Sequence, residues 1–129
     1  MTPALIDTWH HIVKSKDAHA LEALLDPDAV FESPVVHSPQ RGKPIVSKYL
    51  QAALVVLNND SFTYLHEWYA EQSAVLEFQT TVDGIVINGV DMIWWNAQGK
   101  IVRFKVMVRP LKAVNKLHEL MGQMLQRMA

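Results

Sequence analysis

Cysteine is absent from the 129-residue chain, so the sequence excludes disulfides, thiolate nucleophiles and cysteine-based metal sites. It also lacks an excess of either charge, because 12 basic and 13 acidic residues give a formal net charge of −1. The basic residues form no cluster, whereas a nucleic-acid-binding protein needs a concentrated basic face to neutralise phosphates. We therefore expect no nucleic-acid partner.

Long apolar runs are missing as well. No run approaches the ~20 apolar residues that cross a bilayer. The N-terminal segment has no basic residues before its short apolar run and meets Asp7 early, which is not the pattern of a signal peptide. These absences predict a cytoplasmic protein without a membrane partner.

What is present is the composition of one globular domain. Half of the residues are hydrophobic and 19% are charged, and the sequence contains no internal repeat or linker. A domain of this length buries about two-thirds of the surface of its unfolded chain, which is enough for a core and an internal pocket. We expect a single domain over residues 1–129.

Apolar residues at steps of three and four predict four helices. The first begins at Thr2 or Pro3, and the others span Ala18–Leu25, Pro44–Leu57 and Leu111–Met128. Strict alternation predicts strands at Ala29–Glu32, Phe62–Tyr69, Ser73–Val82, Ile85–Trp95 and Ile101–Arg109. Asp83-Gly84 is a strong hairpin signal between two of them. The order predicts an α+β domain with helices on one side of a four-strand antiparallel meander.

Several motifs occur in a characteristic order along the chain. They are Asp17, Asp28-Ala29, Glu32, Pro34-Val35 and Gly42, and later Asp91 followed by Gly99-Lys100-Ile101. In order and spacing the chain resembles the nuclear transport factor 2 (NTF2) superfamily, in particular its SnoaL-like and ketosteroid-isomerase-like branch. The resemblance covers about residues 5–109. It implies a cone-shaped α+β barrel, in which helices pack on a curved antiparallel sheet and enclose a pocket, with the C-terminal helix of about 111–128 outside the matched part.

The resemblance also implies roles for individual positions. Ser33 stands where the steroid isomerases have their aspartate base, and Trp9 stands where they have a tyrosine oxyanion donor. Asp91 matches their second oxyanion donor. A supporting tyrosine falls at Leu50, with Tyr49 adjacent. Because the base is missing, we do not expect useful steroid double-bond isomerisation.

Asp91 is the strongest candidate for chemistry. Its neighbours on one face of the predicted strand are Ile85, Ile87, Gly89, Ile93 and Trp95. A carboxylate among apolar groups takes up a proton, and the neutral acid can donate a hydrogen bond to a carbonyl, enolate or alkoxide. In the alternative interpretation Asp91 faces the other way and pairs with Lys105 or Arg103.

Three further residues complete the candidate catalytic set. Trp9 has one N–H donor, which either binds a ligand oxygen or belongs to an ordinary core tryptophan. Ser33 is too weak an acid to serve as a base unaided. His37 either reaches back from its loop as a base or is solvated. The six histidines include no HExxH motif and no pair at i, i+4, so we expect no metal site.

The predicted cavity is apolar with few polar groups, as is usual for small-molecule sites. Its predicted lining, apart from the candidate catalytic residues, is Val13, Phe31, Val35, Leu50, Phe78, Thr80, Trp95, Phe104, Val106 and Val108. We expect it to bind a small apolar molecule without an organic cofactor. The alternative is a cofactor-independent isomerase, cyclase, dehydratase or hydrolase that uses Asp91 as acid; a protein-transport factor is a third possibility, at superfamily level only.

The outward face of the sheet predicts a homodimer. It includes Trp94 and Tyr69, and large exposed apolar patches usually mark interfaces. The methionine-rich face of the C-terminal helix either caps the pocket mouth or adds to the dimer contact.

Overall fold

The computed structural model describes residues 1–128, in which four helices and six strands follow one another in an α+β order. The helices in this part of the chain are α1 (Ala4–Ser15), α2 (Ala18–Leu24), α3 (Lys43–Leu57) and α4 (Leu111–Arg127). The strands are β1 (Leu25–Glu32), β2 (Gln40–Arg41), β3 (Thr63–Tyr69), β4 (Ser73–Val82), β5 (Ile85–Trp95) and β6 (Ile101–Arg109). No helix among the described residues is long and apolar enough to span a membrane.

The six strands form one curved, unclosed sheet in the order β2-β1-β6-β5-β4-β3. The predicted antiparallel meander of β3 to β6 is confirmed, and so is the α+β class with a C-terminal helix. The resemblance implied a curved antiparallel sheet; the curved sheet is mixed, because β1 pairs with β6 in parallel. Local periodicity identifies a strand but not its partner, so this pairing left no signal.

Strand bounds follow the predictions for β4, β5 and β6 and depart from them at β1. The strand begins at Leu25, which the periodicity assigned to the preceding helix, because Leu25 pairs with Ile101. A register shift between Leu25 and Val30 accommodates the intervening Asp-Pro-Asp. The loop after β1 contains the short strand β2, whose Gln40 pairs with Phe31.

Each helix buries the apolar stripe that its sequence provides. Asp17 caps α2 by accepting a hydrogen bond from the Ala20 N–H at 3.1 Å, which satisfies one donor of the first turn. In α3 the buried face contains Val46, Leu50 and Leu54, whereas the neighbouring apolar residue Ile45 is 37% exposed. The helix is therefore oriented so that Val46, Leu50 and Leu54 face the core and Ile45 does not.

Two β-bulges change which side chains face the helices. Leu65 is the extra residue of β3, so Tyr64 and Glu67 both point to the inner face. Strict alternation along the predicted strand Phe62–Tyr69 would place Tyr64 on one face with His66 and Trp68, and the bulge separates Tyr64 from both. Tyr69, expected on the outer face, lies on the inner one, where its hydroxyl donates to Glu67 at 2.6 Å.

A second irregularity, at the β5–β6 hairpin, leaves Val102 between the pairs Trp94–Arg103 and Trp95–Ile101. As a result Ile101 and Phe104 are both buried, although they are three residues apart. The core lies between the inner face of the sheet and the helices.

Gly89 marks a close approach in the middle of the sheet. A Cβ atom there would lie 2.5 Å from the Met107 carbonyl oxygen and 2.7 Å from the Phe78 ring. The absence of a side chain allows the Phe78 ring to lie across β5 on the inner face.

Candidate functional site

A cavity of about 200 Å³ opens between the inner face of the sheet and α1, α3 and α4. Most of its lining is aliphatic or aromatic. The predicted lining residues that contact it are Trp9, Val13, Phe31, Ser33, Val35, Leu50, Phe78, Asp91, Phe104 and Val106. Further residues that line the cavity, and that were not predicted to do so, are Pro34, Val36, Tyr49, Ala53, Leu54, Leu57, Asn58, Phe62, Tyr64, Leu117, His118, Met121, Gly122 and Leu125.

Asp91 lies at the centre of β5 and faces this cavity. Its side chain points inward with those of Ile87 and Ile93, and only 7% of the residue is exposed. The alternative pairing with Arg103 or Lys105 is wrong, because both of these project from the outer face of β6 towards Glu32. Asp91 therefore has no cationic partner among the described residues.

The carboxyl group of Asp91 uses only one of its oxygens within the protein. Tyr64 donates its hydroxyl proton to Oδ2 at 2.8 Å. Oδ1 has no partner among the described residues, and yet no fully buried side-chain oxygen in this part of the chain is left unsatisfied. Oδ1 is therefore the oxygen that reaches the cavity.

Burial governs the ionisation of this pair. Removal from water raises the pKa of Asp91 from 3.8 to about 7, and the hydrogen bond from Tyr64 lowers it in part. Burial and the neighbouring Asp91 carboxylate raise the pKa of Tyr64 well above its ordinary value. Near neutral pH, Asp91 exists as both neutral acid and carboxylate, while Tyr64 keeps its proton.

Trp9 holds Tyr64 in place rather than offering a donor to the cavity. Its indole N–H donates to the Tyr64 hydroxyl oxygen at 2.9 Å, and the residue is 3% exposed. The interpretation of Trp9 as a direct hydrogen-bond donor to a ligand is therefore wrong in this structure. The result is a chain of donors from Trp9 through Tyr64 to Asp91.

A second set of contacts fixes β3, which carries Tyr64, against α1. The His10 ring stands edge-on to the Tyr64 ring with centroids 5.3 Å apart, and its Nε2 lies 2.9 Å from Glu67 Oε2. Because His10 belongs to α1 and Glu67 to β3, this contact joins the two elements. Tyr64 is thus held by neighbours on both of its sides.

Of the two remaining candidate catalytic residues, Ser33 lines the cavity and His37 does not. Ser33 lines the cavity, and its Oγ accepts the Val35 N–H at 3.1 Å, so its own hydroxyl proton is left to donate. His37 lies in the exposed loop after Pro34 and does not line the cavity. Its predicted role as a base is therefore wrong, because the chain turns outward to solvent after Val36.

Three residues predicted to line the cavity lie elsewhere. Thr80 is buried, but its hydroxyl donates to the Leu57 carbonyl oxygen at 3.0 Å and connects β4 to the end of α3. Trp95 lies at the end of β5, opposite Ile101, and Val108 lies opposite Gly89; both pack against the core. Alternation predicts on which face of the sheet a side chain lies, but it does not predict how far the cavity extends along the strand.

Sequence reasoning missed two contributions to the site. The contact of Tyr64 with Asp91 was not predicted, because the bulge at Leu65 interrupts the alternation of its strand. The other is α4, whose His118, Met121 and Leu125 line the cavity. Its amphipathic pattern was visible, but two uses of the apolar face were left open. Among the described residues, no group of three or more His, Cys, Asp or Glu side chains could hold a metal ion.

Comparison with known proteins places these features in a family. The model of the SnoaL-like domain matches residues 6–104. A steroid delta-isomerase from Pseudomonas aeruginosa is 39% identical, with a TM-score of 0.91 over 97% of this chain and 91% of that one. An uncharacterised protein with a cystatin-like fold from Silicibacter pomeroyi is 29% identical, with a TM-score of 0.86 over 93% and 84% of the two chains.

A more distant structure shares the fold alone. It is an epoxide hydrolase/cyclase-like enzyme of pyran ring formation in the polyether salinomycin, 16% identical, with a TM-score of 0.65 over 81% of this chain and 88% of that one. No curated protein sequence matches the chain. The family model covers most of the fold, including β5 with Asp91, and the chain therefore belongs to the SnoaL-like family of the NTF2 superfamily.

Proposed function

We propose that this protein binds a small, largely apolar molecule through a single oxygen atom, which is hydrogen-bonded to Asp91 Oδ1. The observation that carries the proposal is a buried carboxyl group with one oxygen free, in a cavity whose other walls are almost entirely apolar. Small-molecule sites are usually built this way, with apolar walls for affinity and a few polar groups for orientation.

The volume of the cavity limits the ligand. At about 200 Å³ it is smaller than the roughly 300–1,000 Å³ of pockets that hold drug-sized molecules. A compound of one or two rings fits better than a long or highly substituted one. Phe31, Phe78 and Phe104 provide aromatic walls for such rings.

The two ionisation states of Asp91 select different oxygen groups. The neutral acid donates to a carbonyl oxygen, whereas the carboxylate accepts from a hydroxyl group. Because the pKa of Asp91 is about 7, both forms exist near neutral pH. A ketone should therefore bind more tightly below pH 7 and a phenol more tightly above it, since a charged acceptor makes the stronger hydrogen bond.

The test compares β-tetralone with β-naphthol, which have similar bicyclic frames. Their affinities are measured by NMR titration of the labelled protein between pH 5 and about pH 9. We expect opposite pH trends with a common midpoint near the pKa of Asp91 and shifts of cavity residues such as Phe104. Affinities that do not depend on pH, or shifts confined to the outer sheet face, would overturn the proposal.

Asp91→Asn and Asp91→Leu are the matched variants. The amide of asparagine donates at every pH, so the ketone should keep its affinity in Asp91→Asn and lose its pH dependence. Leucine offers no donor, so Asp91→Leu should bind the ketone weakly. Equal ketone affinity in both variants would show that the oxygen lies elsewhere.

The second candidate function is a cofactor-independent isomerase or related enzyme. It is favoured by the 39% identity to a protein described as a steroid delta-isomerase. Asp91 would stabilise the charge that develops on the substrate oxygen. The resemblance places Ser33 where the steroid isomerases have their base, so this candidate does not include the classical steroid reaction. We expect negligible isomerisation of a β,γ-unsaturated ketosteroid in an absorbance assay; turnover well above the buffer rate would show that another residue serves as the base.

A further inference from the structure

We propose that Gly122 of α4 determines which molecules enter the cavity, because its missing side chain leaves the mouth open to a compound of two fused rings. The proposal rests on the proposed function, since it concerns the ligands of the same cavity. It assigns specificity to a helix that lies outside the matched residues 6–104 of the family model.

The mouth of the cavity is the part of its lining that solvent reaches. Of the described residues that line the cavity, three are exposed, namely Val36, His118 and Gly122. Val36 belongs to the loop after β1 and is 42% exposed, whereas the other two belong to α4. The mouth is therefore bordered by this loop and by α4.

The residues of α4 that line the cavity form two rows along the helix. Leu117, Met121 and Leu125 follow one another at steps of four, and each is buried or half-buried. His118 and Gly122 form the parallel row one position on, and both are exposed. Because residues four apart lie on the same side of a helix, Gly122 lies next to His118 at the outer edge of the mouth.

The packing of the protein does not explain a glycine at position 122. Apart from its chain neighbours and its own helix backbone, a Cβ atom there would meet no described atom within 4 Å. At Gly89, by contrast, a Cβ atom would collide with the Met107 carbonyl oxygen. Inside a helix glycine is less favourable than alanine, because it loses more conformational freedom on folding. A residue that weakens the helix thus occupies a position on the cavity wall where the protein itself leaves space.

The direction of helical side chains indicates where a larger residue would lie. The Cα–Cβ bonds of a helix tilt towards its N-terminus, so a side chain at position 122 would cover the turn that contains His118. Since Gly122 and His118 both line the cavity at its exposed edge, a leucine at position 122 would extend along this edge and narrow the mouth. The open space at Gly122 is thus part of the path of a ligand.

The test compares the entry of phenol and β-naphthol, which share the hydroxyl group that Asp91 binds in the proposed function and differ in width. Association rate constants are obtained from the NMR line shapes of the labelled protein during titration. We expect Gly122→Leu to slow the entry of β-naphthol by about tenfold or more and that of phenol clearly less. Gly122→Ala should give rates between those of the native protein and Gly122→Leu.

Gln126→Leu is the matched control. Gln126 lies one turn beyond Gly122 in the same row, is exposed and does not line the cavity. This variant adds the same side chain to the same helix and should leave both rates unchanged. Leucine favours the helix more than glycine does, so Gly122→Leu should fold, which urea unfolding measures. Val36→Ala, which shortens a side chain on the loop side of the mouth, should partly restore the entry of β-naphthol in Gly122→Leu.

Entry and affinity are measured on the same samples, so the two proposals can fail separately. If β-naphthol binds in the cavity but enters Gly122→Leu as fast as the native protein, the role of Gly122 is wrong and the proposed function stands. Equal slowing of phenol and β-naphthol, or equal slowing by Gln126→Leu, would also overturn that role. If β-naphthol does not bind in the cavity, the proposed function fails, and the role of Gly122 fails with it.

Discussion

The single hydroxyl oxygen of Tyr64 takes part in two hydrogen bonds, one with Trp9 and one with Asp91. It accepts from Trp9 at 2.9 Å and donates to Asp91 at 2.8 Å. Replacement by phenylalanine would therefore leave the Trp9 N–H without a partner and remove the hydrogen bond that lowers the pKa of Asp91.

We expect two results from Tyr64→Phe. The unsatisfied indole N–H should lower the free energy of unfolding by about 1–3 kcal/mol. The pKa of Asp91 should rise above about 7, as carboxyl-resolved NMR titration would measure. Tyr49→Phe is the control, because Tyr49 lines the same cavity without contacting Asp91 by a hydrogen bond. An unchanged pKa of Asp91 in Tyr64→Phe would contradict the arrangement.

Asp91 should also affect stability in a pH-dependent way. Its pKa is raised from 3.8 to about 7 by folding, so the folded protein holds a proton that the unfolded chain has released. The stability contributed by protonation is full below pH ~4, declines as the pH rises towards 7 and is lost above it, a change on the order of 4 kcal/mol.

Asp91→Asn removes this ionisation while keeping the size of the side chain. We expect the variant to be at least as stable as the native protein at neutral pH and to gain relative stability between pH 4 and about pH 7. Urea unfolding of both proteins at several pH values measures the difference, in which the contributions of other groups cancel. Parallel curves would mean that Asp91 titrates normally.

Ser33 provides a gain-of-function prediction. It lines the cavity, and the resemblance to the steroid isomerases implies that it stands where they have their base. Ser33→Asp should accelerate exchange of the α-protons of β-tetralone in heavy water, followed by proton NMR, by about 10²–10⁴-fold over the native protein, whereas Ser33→Asn should not. Equal exchange by the two variants would show that a carboxylate at this position does not reach the α-carbon.

Among the elements, β5 depends on Gly89 for its packing. A methyl group there would meet the Met107 carbonyl at 2.5 Å and the Phe78 ring at 2.7 Å. We expect Gly89→Ala to lower the free energy of unfolding by about 1–3 kcal/mol or more, because the backbone of β6 cannot move aside easily.

Gly122 in α4 is the matched control. A Cβ atom there has nothing within 4 Å, so Gly122→Ala should increase stability by about 0.5–1 kcal/mol through helix propensity. Chemical denaturation of both variants measures these opposite signs. A neutral Gly89→Ala would contradict the close packing of Phe78 on β5.

Elements also show how far the sequence could predict the structure. Alternation along β5 was enough to place Asp91 on the inner face, because the strand runs without a bulge from Ile85 to Trp94. It failed in β3, where one inserted residue turns Tyr64 and Glu67 to the same side. A bulge is set by long-range pairing and leaves no trace in local periodicity.

The extent of the cavity could not be predicted from local sequence patterns either. Thr80 and Val108 face inward as predicted, yet neither reaches the cavity, because the space depends on where α1, α3 and α4 pack. The same packing adds His118, which no pattern along α4 could assign to a site. Residue type and face were predictable, whereas the position of a helix over the sheet was not.

At the scale of the whole molecule, the outer face of the sheet carries large apolar side chains in contact with solvent. Trp68, Val86 and Met107 are 57%, 50% and 50% exposed. Basic side chains of β6, including Lys105, share this face with Glu77 of β4. A two-fold axis could pair such charges between copies, so we expect this face to bind a second copy of the chain.

Light scattering at micromolar concentration should give twice the 14.6 kDa of the chain. Met107→Lys should yield monomers, because it adds charge at the centre of this face. Leu111→Lys changes an equally apolar residue that is 73% exposed on α4, away from the sheet face, and should remain dimeric. A native protein that is monomeric at this concentration would contradict the prediction.

The parallel pairing of β1 with β6 has a consequence for how the chain folds. Phe31 lies beside Phe104, and apart from the two-residue β2, β6 is the strand with which β1 pairs. The long strand β1 therefore has no long pairing partner until β6, the last strand, has been synthesised. Closing so long a segment costs entropy before any contact offsets it, which places this pairing late and slows folding. On the ribosome, β1 must wait for β6 to emerge. The cavity, with Phe31 on one of these strands and Phe104 and Val106 on the other, is therefore among the last features to form.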